Sequence, residues 1–429
     1  MTTIPEQGTA LATPVSVVPW YKEIDRQQWK ALVAAGLGYG LEAMDIMLYA
    51  MVIVQIMKDL RLTSAMAGVL ASLSLFSAAF GGFVFGIIAD KWGRTKSMIA
   101  SILMYSAFTA ACGFSQTVVQ LAVCRILLGI GVGGEYTAGA ALVTESWPPQ
   151  HRGKAMGLVQ ANFGIGYALA AVVAMVVLPR FGWRAVFFVG VLPALLTYFV
   201  RRSVKEPEIW KRNAQQSRAK GEELSTFAVV AKLFSRGQAR HTLIATSLCS
   251  FLLFAYWGAF TWIPGYLAMP VAKGGAGLSM VKSLTWVFIM QFGGVCGHLS
   301  FGYISDKLGR RLSSVIFYIM SGVLTVAFAM IRDPTMLLVI GPFLAYFGYG
   351  YYAGLGPILA ELYPSSVRAT GIGFCYNVGR GVSAFAPAAI GFLALSYGIG
   401  GGIAITAVAY VLACGVVLML PETKGKVLD

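Results

Sequence analysis

Four ionisable residues, Glu42, Asp45, Glu135 and Arg380, stand inside long apolar runs of a 429-residue chain. A charge held in hydrocarbon costs roughly 3 kcal/mol or more, so such groups normally face a polar cavity and mark function. Glu42 and Asp45 are three residues apart and share one helix face. Three carboxyls against one guanidinium would leave about two negative charges uncompensated if every group ionised, a costly state in low dielectric. The cheaper state keeps at least one carboxyl protonated, which suits proton coupling; fixed polar links between helices are the bland alternative. Arg380 holds its proton and presents a planar fork that fits a carboxylate, so it suits either an anionic substrate or a structural ion pair with one of the acids. Tyr376 lies one turn away on the same face and Asn377 three residues away, both within reach to add hydrogen bonds. Asn377 has a copy at Asn162 that points to scaffold.

Aromatic residues form a second group. Tyr256, Trp257, Phe260 and Trp262 surround Gly258 and Pro264, and could stack on a flat substrate, gate the site or simply pack. Tyr136 beside Glu135 and Tyr346, Tyr349, Tyr351 and Tyr352 pose the same choice. His298 titrates near neutrality but reads first as a hydrogen-bonded packing residue, and His151 and His241 lie at loop edges.

The elements that carry these residues follow from composition. The chain is 57% hydrophobic and 12% charged, against roughly 25% charged in a soluble domain. Crossing a bilayer takes about 20 apolar residues, and suitable stretches begin near 30, 65, 97, 116, 155 and 183, then near 241, 281, 312, 334, 369 and 399. Twelve helical spans in two sets of six are predicted. At about 1.5 Å per residue, Glu42, Asp45, Glu135 and Arg380 all fall in the middle third of the bilayer.

The net charge of +15 is read as membrane topology, not as nucleic-acid binding. With both termini cytoplasmic, 24 of the 33 Lys+Arg collect in cytoplasmic segments, 7 lie outside, and Arg125 and Arg380 lie within spans, as the positive-inside rule requires. The expected division is a cytoplasmic segment 1–28, a six-helix bundle 29–200, a cytoplasmic linker 201–240, a second bundle 241–420 and a tail 421–429. The first twenty residues lack the basic start and apolar middle of a secretory signal, so the first span is expected to drive insertion. Six cysteines, all in apolar segments, lack the spacing of a disulfide framework or zinc site. No metal or cofactor is expected. The soluble parts show no nucleotide-binding loop and no nucleophile–base pair, which argues against an enzyme or an ATP-driven pump.

The chain also repeats itself at an offset of 216. Gly86-Ile-Ile-Ala-Asp90-Lys-Trp-Gly93-Arg94 returns as Gly302-Tyr-Ile-Ser-Asp306-Lys-Leu-Gly309-Arg310. Glu145, Pro148, Arg152 and Gly157 return as Glu361, Pro364, Arg368 and Gly373, and Glu206 as Glu422. Duplicated halves are common in transporters. Arg380 departs from the repeat, because its counterpart is Ile165.

These motifs resemble the major facilitator superfamily. Its hallmark loop between spans two and three is carried by Gly86, Asp90, Gly93, Arg94 and Lys96 and copied at Gly302, Asp306, Gly309, Arg310 and Arg311. Arg125-Ile-Leu-Leu-Gly129-Ile-Gly131-Val-Gly133-Gly134-Glu135 is similar to the fourth-span motif, and Pro421-Glu422-Thr423-Lys424-Gly425 to the ending of sugar and organic-ion porters. Glu42-Ala-Met-Asp45 resembles the paired acids of the aromatic acid, niacin-type and sialate-type carboxylate:proton symporters, though the commoner form has Asp and Gly where Glu42 and Ala43 stand. An arginine in span eleven is similar to the aromatic-acid group.

The resemblance implies an all-α membrane protein of twelve transmembrane helices in two pseudo-symmetric six-helix bundles, working by alternating access as a monomer in a bacterial inner membrane. It implies gating by Gly86, Asp90, Gly93, Arg94, Arg125, Glu145, Arg152, Asp306, Arg310, Glu361 and Arg368. The expected function is proton-coupled symport of a small organic carboxylate, with Arg380, Tyr376, Asn377, Trp257 and Tyr136 on the substrate and Asp45, Glu42 and Glu135 on the proton. Expected partners are the organic anion, protons and the bilayer, without nucleic acid. A sugar or polyol porter, an organic cation porter and a non-transporting receptor on the same scaffold are the alternatives.

Overall fold

The computed structural model describes residues 20–148, 151–208, 210–211, 233–235, 237–364 and 368–424, with the backbone alone at Asp90, Gly153, Arg201 and Ala369. Helices start where polar caps meet apolar runs. The Asp25 carboxylate accepts from the Gln28 amide at 2.7 Å while the Gln28 side chain accepts from the Asp25 amide at 2.8 Å, satisfying donors that the first turn would otherwise strand. Thr117 and Gln120 build the same box at span four.

Spans one to four are Arg26–Asp59, Ser64–Trp92, Arg94–Cys112 and Val118–Ser146. Spans five and six share Arg152–Val189, broken at Gly182 with φ 76°, and span six closes with Pro193–Ser203. Spans seven, eight and nine are Ala239–Ala268, Met280–Leu308 and Arg310–Met330, and span ten is Pro334–Gly350 continued by Tyr352–Leu362. Span eleven is Arg368–Ser383 extended by Ala386–Ile405 as far as the break at Gly398 (φ 69°), and span twelve continues through Ala407–Leu418. Among the described residues nine stretches are long and apolar enough to cross a membrane. Two of them, of 47 and 49 residues, are double crossings. The 19-residue span three supplies the twelfth. Its polar residues turn inward, as when Ser101 donates to the Gly131 carbonyl at 2.7 Å.

Large apolar side chains cover the outside, with Phe80 59% and Tyr303 77% exposed, a surface that only lipid covers favourably. The basal face is the one where span one begins and span twelve ends, and the distal face is opposite.

The duplication is visible in detail at the basal face. Gly93 (φ 117°) and Gly309 (φ 95°) turn the chain into spans three and nine, a left-handed conformation that favours glycine. Glu206 accepts from the amides of Arg94 and Thr95 at 2.8 and 3.1 Å. Glu422 accepts from those of Arg310 and Arg311 at 2.9 and 3.0 Å. Each carboxylate therefore caps a helix N-terminus, where the dipole favours negative charge. Arg152 Nε donates to the Trp147 carbonyl at 3.2 Å, and Arg368 Nε to the Tyr363 carbonyl, also at 3.2 Å.

The halves meet at the distal side. Ser64 Oγ donates to the Gly391 carbonyl at 2.8 Å, and the Ala388 amide donates to Ser72 Oγ at 3.0 Å. A Cβ on Gly68 would collide with the Pro387 carbonyl, and one on Gly391 with that of Ser64. Spans two and eleven thus touch backbone to backbone, as small residues allow. Most of the expected linker at 201–240 lies outside the described residues.

Candidate functional site

Span one passes through the middle of the molecule and is buried along most of its length. Its Glu42 points toward span eleven, where Arg380 Nη2 donates to Glu42 Oε1 at 3.5 Å. Both side chains are almost fully buried, Arg380 at 6% and Glu42 at 1% exposure. Glu135 on span four approaches the same point, because Gly38 leaves room against span one that a side chain would fill. Among the described residues, the second oxygen of Glu42 and both oxygens of Glu135 and of Asp45 find no hydrogen-bond partner. Asp45 lies one turn further along span one, facing Thr109 of span three.

Three tyrosines border the ion pair. The Tyr39 and Tyr136 ring centroids are 5.1 Å apart, and those of Tyr136 and Tyr376 are 5.8 Å apart. Tyr39 and Tyr376 continue into the wall of a cavity of about 340 Å³ between the halves, completed by Phe163, Trp257, Tyr349 and His298 among others. Its aromatic lining with a few polar groups is that of a small-ligand site.

The sequence profile of the Major Facilitator Superfamily matches residues 35–355. The chain belongs to that superfamily. Relatives agree along nearly the whole length. A probable 4-methylmuconolactone transporter of Cupriavidus pinatubonensis is 34% identical, over 95% of this chain and 93% of its own. A cis,cis-muconate transport protein of Acinetobacter baylyi is 31% identical, over 92% and 94%. Among solved structures, a D-xylose–proton symporter superposes with TM-score 0.73 at 19% identity, covering 94% of this chain and 100% of its own, a likeness of fold. The protein is a multi-pass membrane transporter and not an enzyme.

Within this major facilitator the expected residues separate into three places. Glu42, Glu135, Arg380, Tyr376 and Tyr136 gather at one point, with Asp45 one turn away and Trp257 on the cavity wall. Asn377 stands apart: it is exposed and its amide donates to the Gly373 carbonyl at 2.9 Å. Asn162 makes the same bond to Leu158 at 2.8 Å, so both belong to the repeated scaffold.

The basal residues form bridges inside each half. Arg94 pairs with Glu145 at 2.7 Å. Arg310 pairs with Asp306 at 2.7 Å and Glu361 at 3.3 Å, and Thr423 hydrogen-bonds Glu361. Gly86 faces Thr137 of span four. The Asp90 side chain lies outside what is described.

Arg125 does not join that basal group. It is 2% exposed, its guanidinium lies 4.4 Å over the Tyr49 ring, and its Nε and Nη1 have no hydrogen-bond partner among the described residues. With Tyr49, Trp257 and Thr261 it lines a smaller cavity of about 250 Å³. Apart from the basal Glu361, the described residues therefore bury three carboxyls against two guanidinia, one cation more than the three-against-one balance of Glu42, Asp45, Glu135 and Arg380. Sequence reading also passed over Tyr39, although its spacing of three from Glu42 puts both on one helix face. His298, read as packing, reaches the cavity.

Proposed function

We propose that this protein is a proton-coupled symporter of a small organic carboxylate, carried by alternating access of its two halves. The observation that carries the reading is Arg380 paired at 3.5 Å with Glu42 beside an aromatic cavity between the halves. A permanent cation there suits a carboxylate, and flat rings suit a flat substrate. The muconate relative carries a carboxylate by name.

In the proposed cycle, a proton on Glu42 removes the anion that holds Arg380, and the substrate carboxylate takes its place. Glu135, facing Glu42, passes or shares that proton, and Asp45 is a second proton site. Without substrate, Glu42 returns to Arg380 and keeps the buried charge compensated. Only the empty or the fully loaded carrier then reorients at low cost, because any other state buries an unpaired charge. The distal contacts of spans two and eleven support a state closed on that side. The excess of Lys and Arg in basal loops supports a cytoplasmic basal side with both termini there. The basal bridges hold each half rigid while the halves rock, and the unit of transport is the monomer.

Uptake into liposomes tests the reading. Benzoate and muconate should accumulate only with a proton gradient directed inward, and Arg380→Ala should abolish binding by folded protein. Uptake indifferent to Arg380 would favour the sugar or polyol porter, and competition by organic cations alone would favour the cation porter.

A further inference from the structure

The wall that spans seven, eight and ten give to the larger cavity carries polar groups that the proton and carboxylate steps do not use. Buried tyrosine hydroxyls in these spans generally have partners: Tyr351 donates to the Leu252 carbonyl at 3.1 Å, Tyr266 to the Ile331 carbonyl at 2.7 Å, and Tyr349 to Gln291. Two stand apart. Among the described residues the buried hydroxyls of Tyr256 and Tyr352, whose rings meet edge-on at 5.4 Å, have no hydrogen-bond partner, and both residues line the cavity. Buried polar groups are rarely left unmade, since each costs about 1–3 kcal/mol.

His298 lines the same cavity, its ring 5.8 Å from that of Tyr349. Its Nδ1 lies 3.3 Å from the Gly294 carbonyl. A carbonyl only accepts, so Nδ1 carries the proton and Nε2 of the neutral ring is an acceptor.

We propose that Tyr256, Tyr352 and His298 form a second polar station, which reads a hydroxyl group on the substrate away from its carboxylate. A hydroxyl donates once and accepts twice, so it answers both an imidazole acceptor and phenol donors. A second carboxylate would meet the Nε2 lone pair with like polarity. The inference rests on the carboxylate reading and narrows it to hydroxylated monocarboxylates.

Binding to the purified full-length protein tests it, with benzoate, 3-hydroxybenzoate, 4-hydroxybenzoate and the dicarboxylate terephthalate as probes. At least one hydroxybenzoate should bind about tenfold or more tighter than benzoate. Tyr256→Phe/Tyr352→Phe and, separately, His298→Phe should shrink that preference to about twofold, by weakening the hydroxybenzoate more than benzoate. Equal affinities in the unaltered protein, terephthalate binding best, or a preference that survives both variants would overturn it. So would an equal loss for all probes, which marks packing alone. If none of the four binds the unaltered protein, the carboxylate reading itself fails and takes this inference with it.

Discussion

Arg380 of span eleven donates to Glu42 of span one at 3.5 Å, joining the two halves near the middle of the molecule through an arginine that has no copy in the first half. Its single contact to Glu42 is long for a charge-assisted bond, which typically spans about 2.7–2.9 Å. The pair is therefore positioned for exchange of one carboxylate by another.

Arg380→Ala should weaken carboxylate binding by about 100-fold or more, the scale of removing one partner of a buried charge pair. Arg380→Lys should recover only part, because an ammonium lacks the fork. Equilibrium binding to purified protein checks both.

Glu42→Gln frees Arg380 permanently. Substrate binding should then persist and lose its dependence on pH, while accumulation against a gradient falls to equilibration. Asp45→Asn and Glu135→Gln, compared in the same assay of uptake with and without a proton gradient, separate the coupling site from its neighbours: only a coupling residue should leave exchange intact while abolishing accumulation.

Arg125 is buried with no hydrogen-bond partner at Nε or Nη1 among the described residues. Replacing such a charge by an apolar side chain of similar volume is often neutral or stabilising. Arg125→Met should leave the melting temperature unchanged or raise it, yet impair transport. A fall of many degrees would show that the cation is a structural keystone.

At the basal face, burial works against ionisation of Glu422, yet the backbone amides of Arg310, Arg311, Lys424 and Thr423 together hold its carboxyl below the ordinary glutamate range. A depressed carboxyl contributes stability that is fully present above about pH 4.3, the ordinary value, and is lost as pH falls through the depressed one. Glu422→Ala, and Glu206→Ala in the first half, should each cost about 1 kcal/mol. The Glu422→Ala penalty should fade on acidification, as melting curves across pH 3–7 will reveal.

The distal seal predicts a shift in state. Gly68→Val and Gly391→Val insert side chains where spans two and eleven touch through backbone. Both should favour the distally open form. A thiol reagent added from the distal side to a Thr261→Cys variant, in a background freed of the native cysteines, should then react faster.

The spans, their duplication and the four midplane charges were legible in the chain itself, because hydropathy, a fixed offset and the cost of charge in oil are properties of residue order. Even the equivalence of Glu206 and Glu422 shows there, although their work as caps on spans three and nine does not. Proximity across the fold belongs to tertiary packing. It set Glu42 rather than Asp45 against Arg380, turned Asn377 back onto its own helix, and laid Arg125 over Tyr49 at a second cavity. It also brought Tyr39 and His298 to the cavity. Each of these depends on how neighbouring helices rotate and how closely glycines let them approach, and periodicity along one helix carries no information about the face that its neighbour presents.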